Sequence, residues 1–124
     1  MLFFKSVAAL LATATMASAA VISARDFTAI ATYYDPNGGF GACGNPLGNG
    51  DLVVALSPLQ YASGTRCGQR INVSYNGKGV SLVVADLCPG CQGANGIDLT
   101  EGVMALLEPN YIALGKITVD WVFA

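Results

Sequence analysis

Residues 70–86, RINVSYNGKGVSLVVAD, limit the fold of this chain more than any other stretch. Two runs rich in β-branched residues flank Asn76-Gly77, a dipeptide that strongly favours the type I′ turn of a β-hairpin. The segment therefore predicts two antiparallel strands. The second strand is Val-rich and ends at Asp86, an acidic side chain that needs a partner or a cleft where it leaves apolar surroundings.

Three further segments have the composition of strands, because they are rich in β-branched, aromatic and aliphatic residues. They are FTAIATYY (27–34), LVVAL (52–56) and GKITVDWVF (115–123). In the last segment every second residue is apolar. This alternation places four side chains on one face, and it favours core burial of Trp121 over a binding role. The four are Ile117, Val119, Trp121 and Phe123.

Two short helices are indicated by their capping residues. Ser57 and Pro58 have the chemistry of the N-cap and first position of one helix. Thr100 caps the second, which ends at Pro109 and is expected to turn Val103, Leu106 and Leu107 to the core. We count about six strands and one or two short helices in one domain. A closed barrel suits so many short strands.

The first nineteen residues have the features of a secretory signal peptide. Lys5 supplies a positive start, residues 7–16 are apolar, and Ala17-Ser18-Ala19 is an A-x-A cleavage site. We therefore expect a signal peptide at 1–19, a short leader at 20–26 and the folded domain at 27–124. The protein is predicted to be secreted and extracellular.

The charge and composition exclude several functions. The chain has no histidine, which rules out Ser-His and Cys-His catalysis and histidine metal sites. Removing Lys5 leaves five basic against eight acidic side chains, a net charge of −3. The basic residues are scattered, so neither nucleic acid nor an anionic membrane is an expected partner.

Four cysteines, Cys43, Cys67, Cys88 and Cys91, lie beyond the predicted signal peptide. The C-x-x-C at Cys88 and Cys91 continues as a Gly-rich loop, whereas a thioredoxin motif begins a helix. A zinc site usually needs two close pairs of ligands, and only one close pair exists. Two structural disulfides are therefore expected, and three connectivities remain open. One pairing, Cys43–Cys67, would close about 25 residues and contribute roughly 3.5 kcal/mol.

A glycine-rich loop and two aspartates mark the candidate site. Residues 35–50, the glycine-rich loop, contain six glycines and two prolines, and long loops in small domains tend to be functional. Asp86 and Asp98 lie on either side of the C-x-x-C. An aspartate at such a position can instead satisfy backbone donors of a turn or of the next helix, which is the alternative for Asp98.

In combination, four segments resemble the double-psi β-barrel family of expansins, loosenins, barwin, rare lipoprotein A and glycoside hydrolase family 45. They are ATYYDPNGGFGACG, VVALSPLQY, CGQRINVSYNGKGVSLVVADLCPGC and GIDLTEGVMALL. The chain is most similar to small secreted fungal members of the loosenin type. The resemblance implies an all-β, six-stranded double-psi barrel with two disulfides, of which Cys43–Cys67 matches the family's first bridge.

The resemblance also implies a polysaccharide-binding cleft. Thr32, Asp86 and Asp98 match the family's cleft residues, and Asp98 corresponds to the general acid of the hydrolases. Either Tyr33 or Tyr34 is expected to stack on sugar, because strand alternation turns only one of them to the cleft. The chain departs from the family at Cys88, where expansins have an aromatic residue. It departs again at Gly96 and Ile97, which replace the His and Phe before the second Asp.

Three functions follow from this resemblance. The first is non-hydrolytic loosening of cell-wall polysaccharide, either cellulose-like β-glucan or chitin. The second is binding of a protein partner, such as a secreted protease or a host protein. The third is weak endoglucanase activity with Asp98 as acid and Asp35 as a candidate base, since Asp35 follows the first strand. We expect a monomer without cofactor or metal.

One modification is also indicated. Asn72-Val73-Ser74 is an N-glycosylation sequon. It lies on a predicted strand, so occupancy requires Asn72 to face solvent.

Overall fold

Six strands close into a barrel in the computed structural model, which describes residues 26–124. The order around the barrel is β1-β5-β2-β4-β3-β6, with parallel pairs β1/β5 and β2/β4 and antiparallel pairs elsewhere. The strands are β1 Phe27–Tyr34, β2 Val53–Leu56, β3 Arg70–Tyr75, β4 Lys78–Leu87, β5 Ile97–Thr100 and β6 Ile117–Phe123. This confirms the predicted six-stranded all-β barrel. The predicted signal peptide and nearly all of the leader lie outside the described residues.

Three short α-helices accompany the barrel, one more than the sequence indicated. They are α1 Pro58–Tyr61, α2 Glu101–Leu107 and α3 Tyr111–Leu114, and a 3₁₀ turn at Ala62–Gly64 follows α1. The third was missed because Pro109 correctly predicts a helix end, but a new turn of helix begins two residues later. Within residues 26–124, no helix has the length and hydropathy that crossing a membrane would require.

The predicted hairpin joins β3 to β4. Tyr75 pairs with Lys78 across the turn, and Asn76 and Gly77 have φ angles of 48° and 78°. Positive φ at both central positions is the requirement of a type I′ turn, which Asn-Gly meets at low cost. The ease with which Asn76 and Gly77 adopt positive φ therefore accounts for the hairpin.

Inward-facing residues of every strand fill the barrel. Trp121 is 1% exposed, which confirms its predicted burial, and its ring packs 4.7 Å from that of Phe27. The expected burial of Leu106 is wrong, because it is 60% exposed. The apolar stripe of α2 instead runs through Met104, since the helix turns its Val103, Met104 and Leu107 side to the barrel.

Two disulfides join the four cysteines and show which of the three possible pairings is present. Cys43 is bonded to Cys67, and Cys88 is bonded to Cys91. The first ties the glycine-rich loop to the segment before β3. The second closes the turn between β4 and β5. The first bridge therefore lies near the end of β4 that carries Asp86, and the second lies between Asp86 and Asp98 along the chain.

Candidate functional site

A row of four residues crosses the outer wall of the barrel. Across neighbouring strands Thr32 pairs with Asp98, Asp98 with Ala55, and Ala55 with Asp86. We call these four residues the acid row. Adjacent strands lie about 4.8 Å apart, so the Cα atoms of the two aspartates flank Ala55 at a separation of roughly 10 Å. Ala55 lies between the two acids and is itself buried, at 2% exposure.

A β-bulge turns Asp86 to the outer wall. Val54 pairs with Val84, but the next pair is Ala55 with Asp86, so Ala85 is an extra residue in β4. Val84 is buried in the core at 1% exposure, and strict alternation would bury Asp86 as well. The bulge reverses the side on which Asp86 emerges.

Asp98 keeps most of its hydrogen-bonding capacity free. Thr32 donates its hydroxyl to Asp98 Oδ1 at 2.9 Å and is the carboxylate's one hydrogen-bond donor within residues 26–124. Partial burial raises the pKa of Asp98, the Thr32 hydrogen bond opposes that rise, and the charge of Asp86 adds to it. Thr100, not Asp98, caps α2 by accepting the Val103 N–H at 3.3 Å. Asp98 is therefore available to a ligand.

Asp86 is engaged by the protein itself. Tyr34 donates its hydroxyl to Oδ2 at 2.8 Å, and the Ala42 and Leu87 N–H groups donate to Oδ1 at 2.8 and 2.9 Å. Three donors occupy most of the acceptor positions of one carboxylate. Asp86 thus holds the glycine-rich loop against β4, and it presents less free capacity than Asp98.

The two adjacent tyrosines, Tyr33 and Tyr34, point to opposite faces of β1. Tyr34 lies on the outer face with Thr32, and its hydroxyl reaches Asp86 on β4, so the ring crosses above β5 and β2. Burial is the main cause that raises the pKa of Tyr34, and the Asp86 hydrogen bond adds to it. Tyr33 faces the other way and packs edge-on against Tyr111 at 5.1 Å. Tyr34 is the aromatic side chain beside the acid row.

The glycine-rich loop lies closely against the bulge. The Cys43 N–H donates to Ala85 O at 3.2 Å, and the neighbouring Gly41 passes so near that a Cβ there would overlap Ala85 O. Leu47, 3% exposed, anchors the far side of the loop. The position of the Ala42 amide on Asp86 therefore depends on Gly41 having no side chain.

Gly41→Ala is expected to lower the free energy of unfolding by about 1–3 kcal/mol, because the loop must move to relieve the overlap. Urea unfolding measures the change. Gly90→Ala is the matched control, since a Cβ at Gly90 meets no atom within 4 Å. Equal stability of the two variants would contradict the close packing of the loop.

The segment 88–96, the CPGC loop, connects the two acids of the row. The Cys88 N–H donates to Leu56 O at 2.8 Å, and Trp121 donates its indole N–H to Asn95 O at 3.0 Å. Ser57 occupies the predicted N-cap position of α1, but its hydroxyl donates to Ala94 O instead of capping the helix. Hydrogen bonds with β2, β6 and the start of α1 thus hold the CPGC loop against the barrel.

Asp35 follows the end of β1 and lies beside Glu101. A hydrogen bond to Glu101 is the main cause that raises the pKa of Asp35, which is exposed. Tyr111 donates to Glu101 at 2.7 Å, and this bond is the main cause that raises the Tyr111 pKa to about 12. The structure therefore places the candidate base with Glu101 and Tyr111, whereas Thr32, Tyr34, Asp86 and Asp98 come together.

The sequon residue Asn72 faces solvent on β3. It lines an open groove of about 440 Å³ with Ser74, Ser81 and Asp120. Its exposure meets the condition for glycosylation, which stays a prediction.

The sequence did not reveal two parts of the site. Ala55 has no chemical group that would mark it, and it matters only because it separates Asp86 from Asp98. The Ala42 N–H could not be singled out from the sequence either, since every residue except proline has a backbone N–H. Only the register of the strands and the path of the glycine-rich loop show their places.

Comparisons with known proteins agree with this architecture. No family model matches the chain. The papain inhibitor of Streptomyces mobaraensis is 34% identical over 100 residues, which cover 75% of this chain and 68% of that protein. An Asp f 7 allergen homolog of Arthroderma benhamiae is 41% identical over 76 residues, which cover 56% of this chain but only 25% of the relative. The chain thus matches about a quarter of that relative's length.

Solved structures show the same barrel. The Streptomyces papain inhibitor superposes with a TM-score of 0.68 at 30% identity, covering 81% of this chain and 94% of that one. A mutant Clavibacter michiganensis expansin in complex with cellohexaose has a TM-score of 0.71 at 25% identity, over 81% of this chain and 50% of the expansin. The chain therefore belongs to the expansin-like double-psi β-barrel family that includes the Streptomyces papain inhibitor.

Proposed function

We propose that the protein binds neutral cell-wall polysaccharide, cellulose-like β-glucan or chitin, along the acid row and loosens it without hydrolysis. The observation that carries this proposal is the free carboxylate of Asp98, fixed by Thr32 and flanked by the Tyr34 ring. Hydrogen-bond acceptors beside an aromatic ring suit a sugar, which has hydroxyl donors around its edge and apolar C–H faces. A related expansin, half of whose chain this barrel matches, forms a complex with cellohexaose, which supports a polysaccharide ligand.

The negative charge at and near the acid row favours neutral over anionic polysaccharides. Asp86 and Asp98 lie in the acid row, and the carboxyl pair of Asp35 and Glu101 lies at the ends of the same two strands, β1 and β5. Like charges repel an anionic polymer, whereas neutral chains meet no such penalty. Neutral glucan and chitin are therefore favoured over acidic polysaccharides.

Neither candidate base is free to activate a water molecule, which favours a non-hydrolytic mode. An inverting hydrolase needs a carboxylate free to activate water opposite the acid. Asp86 is occupied by three donors, and Asp35 lies beside a second carboxyl group, Glu101, which raises the pKa of Asp35. Asp98 has the raised pKa of an acid, but neither partner is free as a base. The protein would bind sugar chains and disrupt their packing without cleaving them.

A comparison of sugar release with mechanical effect tests this function. We expect the wild-type protein to be retained by cellulose or chitin and to swell or weaken the substrate while reducing ends stay at background. Peptidoglycan serves as a third substrate. Release of reducing sugars that Asp98→Asn abolishes would establish hydrolysis and overturn the non-hydrolytic proposal.

Inhibition of a papain-type protease is the second candidate. It is favoured by the relationship to the Streptomyces papain inhibitor, which covers more of this chain's sequence than the allergen homolog does. Here the glycine-rich loop and the CPGC loop would form the contact surface. A papain assay discriminates the two functions: inhibition that survives Asp98→Ala would support protein binding by the loops.

We further propose that residues 1–19 direct secretion and that the domain acts as a monomer. The apolar segment with its A-x-A site supports the first, and two disulfides fit an oxidising compartment. Mass spectrometry of the secreted product would give its first residue, and light scattering its oligomeric state.

A further inference from the structure

Phe40 is the one exposed aromatic side chain among residues 26–124. It is 76% exposed, whereas the other described Tyr, Phe and Trp residues are buried or half-buried. Both apolar faces of the ring are therefore open to solvent and to a ligand.

The backbone around Phe40 is held by hydrogen bonds and a disulfide. Gly38 donates to Leu47 O at 2.7 Å, and Leu47 donates back to Gly39 O at 2.9 Å. Phe40 itself forms a β-bridge with Pro46. The Cys43–Cys67 disulfide ties the far end of this ladder to the barrel. A ring held on such a support loses little freedom when it binds.

The place of Phe40 relative to the acid row follows from its neighbours. The Ala42 N–H donates to Asp86, and residues two apart are separated by at most about 7 Å, so Phe40 lies beside the Asp86 end of the row. Gly41 faces the barrel at Ala85, and successive residues of an extended segment point to opposite sides. The Phe40 side chain therefore points away from the barrel wall, next to Asp86.

We infer that Phe40 is a stacking platform for a sugar ring at the Asp86 end of the acid row. This rests on the proposed binding of polysaccharide. The ligand would be a β-linked glucan or chitin chain long enough to contact Thr32 and Asp98 at one end and Phe40 at the other.

The contact separates long from short ligands. An oligosaccharide that spans the row gains the Phe40 contact, whereas one that occupies only the Thr32–Asp98 end does not. Because stacking depends on the ring and not on a charge, the contribution of Phe40 should be insensitive to pH and salt.

Calorimetric titration of Phe40→Ala and Phe40→Trp with cellohexaose and chitohexaose tests the inference. We expect the hexamer that binds wild type to bind Phe40→Ala about fivefold to tenfold more weakly, and Phe40→Trp to retain or exceed wild-type affinity. Ile112→Ala is the matched control, because Ile112 is 71% exposed on α3. Its affinity should equal that of wild type.

The outcomes separate this inference from the proposed function. If wild type binds the hexamer, Asp98→Asn weakens binding and Phe40→Ala does not, only the stacking role is wrong. Failure of wild type to bind any of the polysaccharides overturns both. If Phe40→Ala abolishes papain inhibition and leaves oligosaccharide affinity unchanged, Phe40 contacts protein and the stacking role is rejected.

Discussion

Asp98→Asn is expected to weaken polysaccharide binding by about tenfold to a hundredfold, because a carboxylate–hydroxyl hydrogen bond contributes roughly 1.5–3 kcal/mol. The amide keeps the size of the side chain and can still accept from Thr32, so the effect reports the lost charge. Binding isotherms on insoluble cellulose or chitin measure it. Asp120→Asn is a close control, since Asp120 accepts an equivalent threonine hydrogen bond from Thr28, at 2.6 Å.

The same substitution should stabilise the fold at neutral pH. Burial raises the pKa of Asp98 above its ordinary value of 3.8, so the folded state retains the proton longer than the unfolded chain. Wild-type stability therefore falls as pH rises from the ordinary value through the raised one. Urea unfolding should show equal pH dependence for the two proteins below that window and a relative gain for Asp98→Asn above it.

A relative loss of stability for Asp98→Asn at neutral pH would show that the ionised carboxylate is well accommodated. In that case Asp98 would be a structural acid and not a carboxylate held ready for a ligand. Weaker binding together with higher stability is the combination expected of a residue kept for function at some cost to the fold.

Removal of the Cys43–Cys67 disulfide has the largest expected effect on stability. The bridge joins residues 24 positions apart, and the loop-closure relation gives about 3.5 kcal/mol for such a loop. Cys43→Ala with Cys67→Ala should lower the free energy of unfolding by that amount. It should also weaken polysaccharide binding, because the glycine-rich loop carries the Ala42 amide that holds Asp86.

The second bridge supplies the comparison. Cys88 and Cys91 are three positions apart, and the same relation gives only about 2 kcal/mol for so short a loop. Urea unfolding of both double variants tests the difference. If the two variants lose equal stability, constraint of the unfolded chain is not what the Cys43–Cys67 bridge contributes.

Local features of the fold could be predicted from sequence because their causes are local. Asn76-Gly77 specifies its turn through φ angles, Thr100 caps α2 with its own hydroxyl, and alternation buries Trp121. β5 was not recognised as a strand because it has four residues and all its partners are distant. Leu106 was misplaced because a seven-residue helix does not fix from sequence which apolar stripe faces the core.

The candidate site was predictable as a set of residues but not as an arrangement. The resemblance to the family named Thr32, Asp86 and Asp98, and the structure brings them into one row. The bulge at Ala85 and the donors that engage Asp86 arise from contacts between segments far apart in sequence. Such contacts leave no local pattern.

The order of strands around the barrel has a consequence for how the chain folds. β1 pairs with β5 across 66 positions and also with β6, whereas the β3–β4 hairpin closes on itself. Hairpins form in roughly 1–10 μs, but barrels dominated by distant pairings fold in milliseconds to seconds. During synthesis one edge of β1 therefore stays open until β5 has been made, and the other until the last strand, β6, has been made. Refolding should show an early hairpin and a slow closure of the barrel at β1.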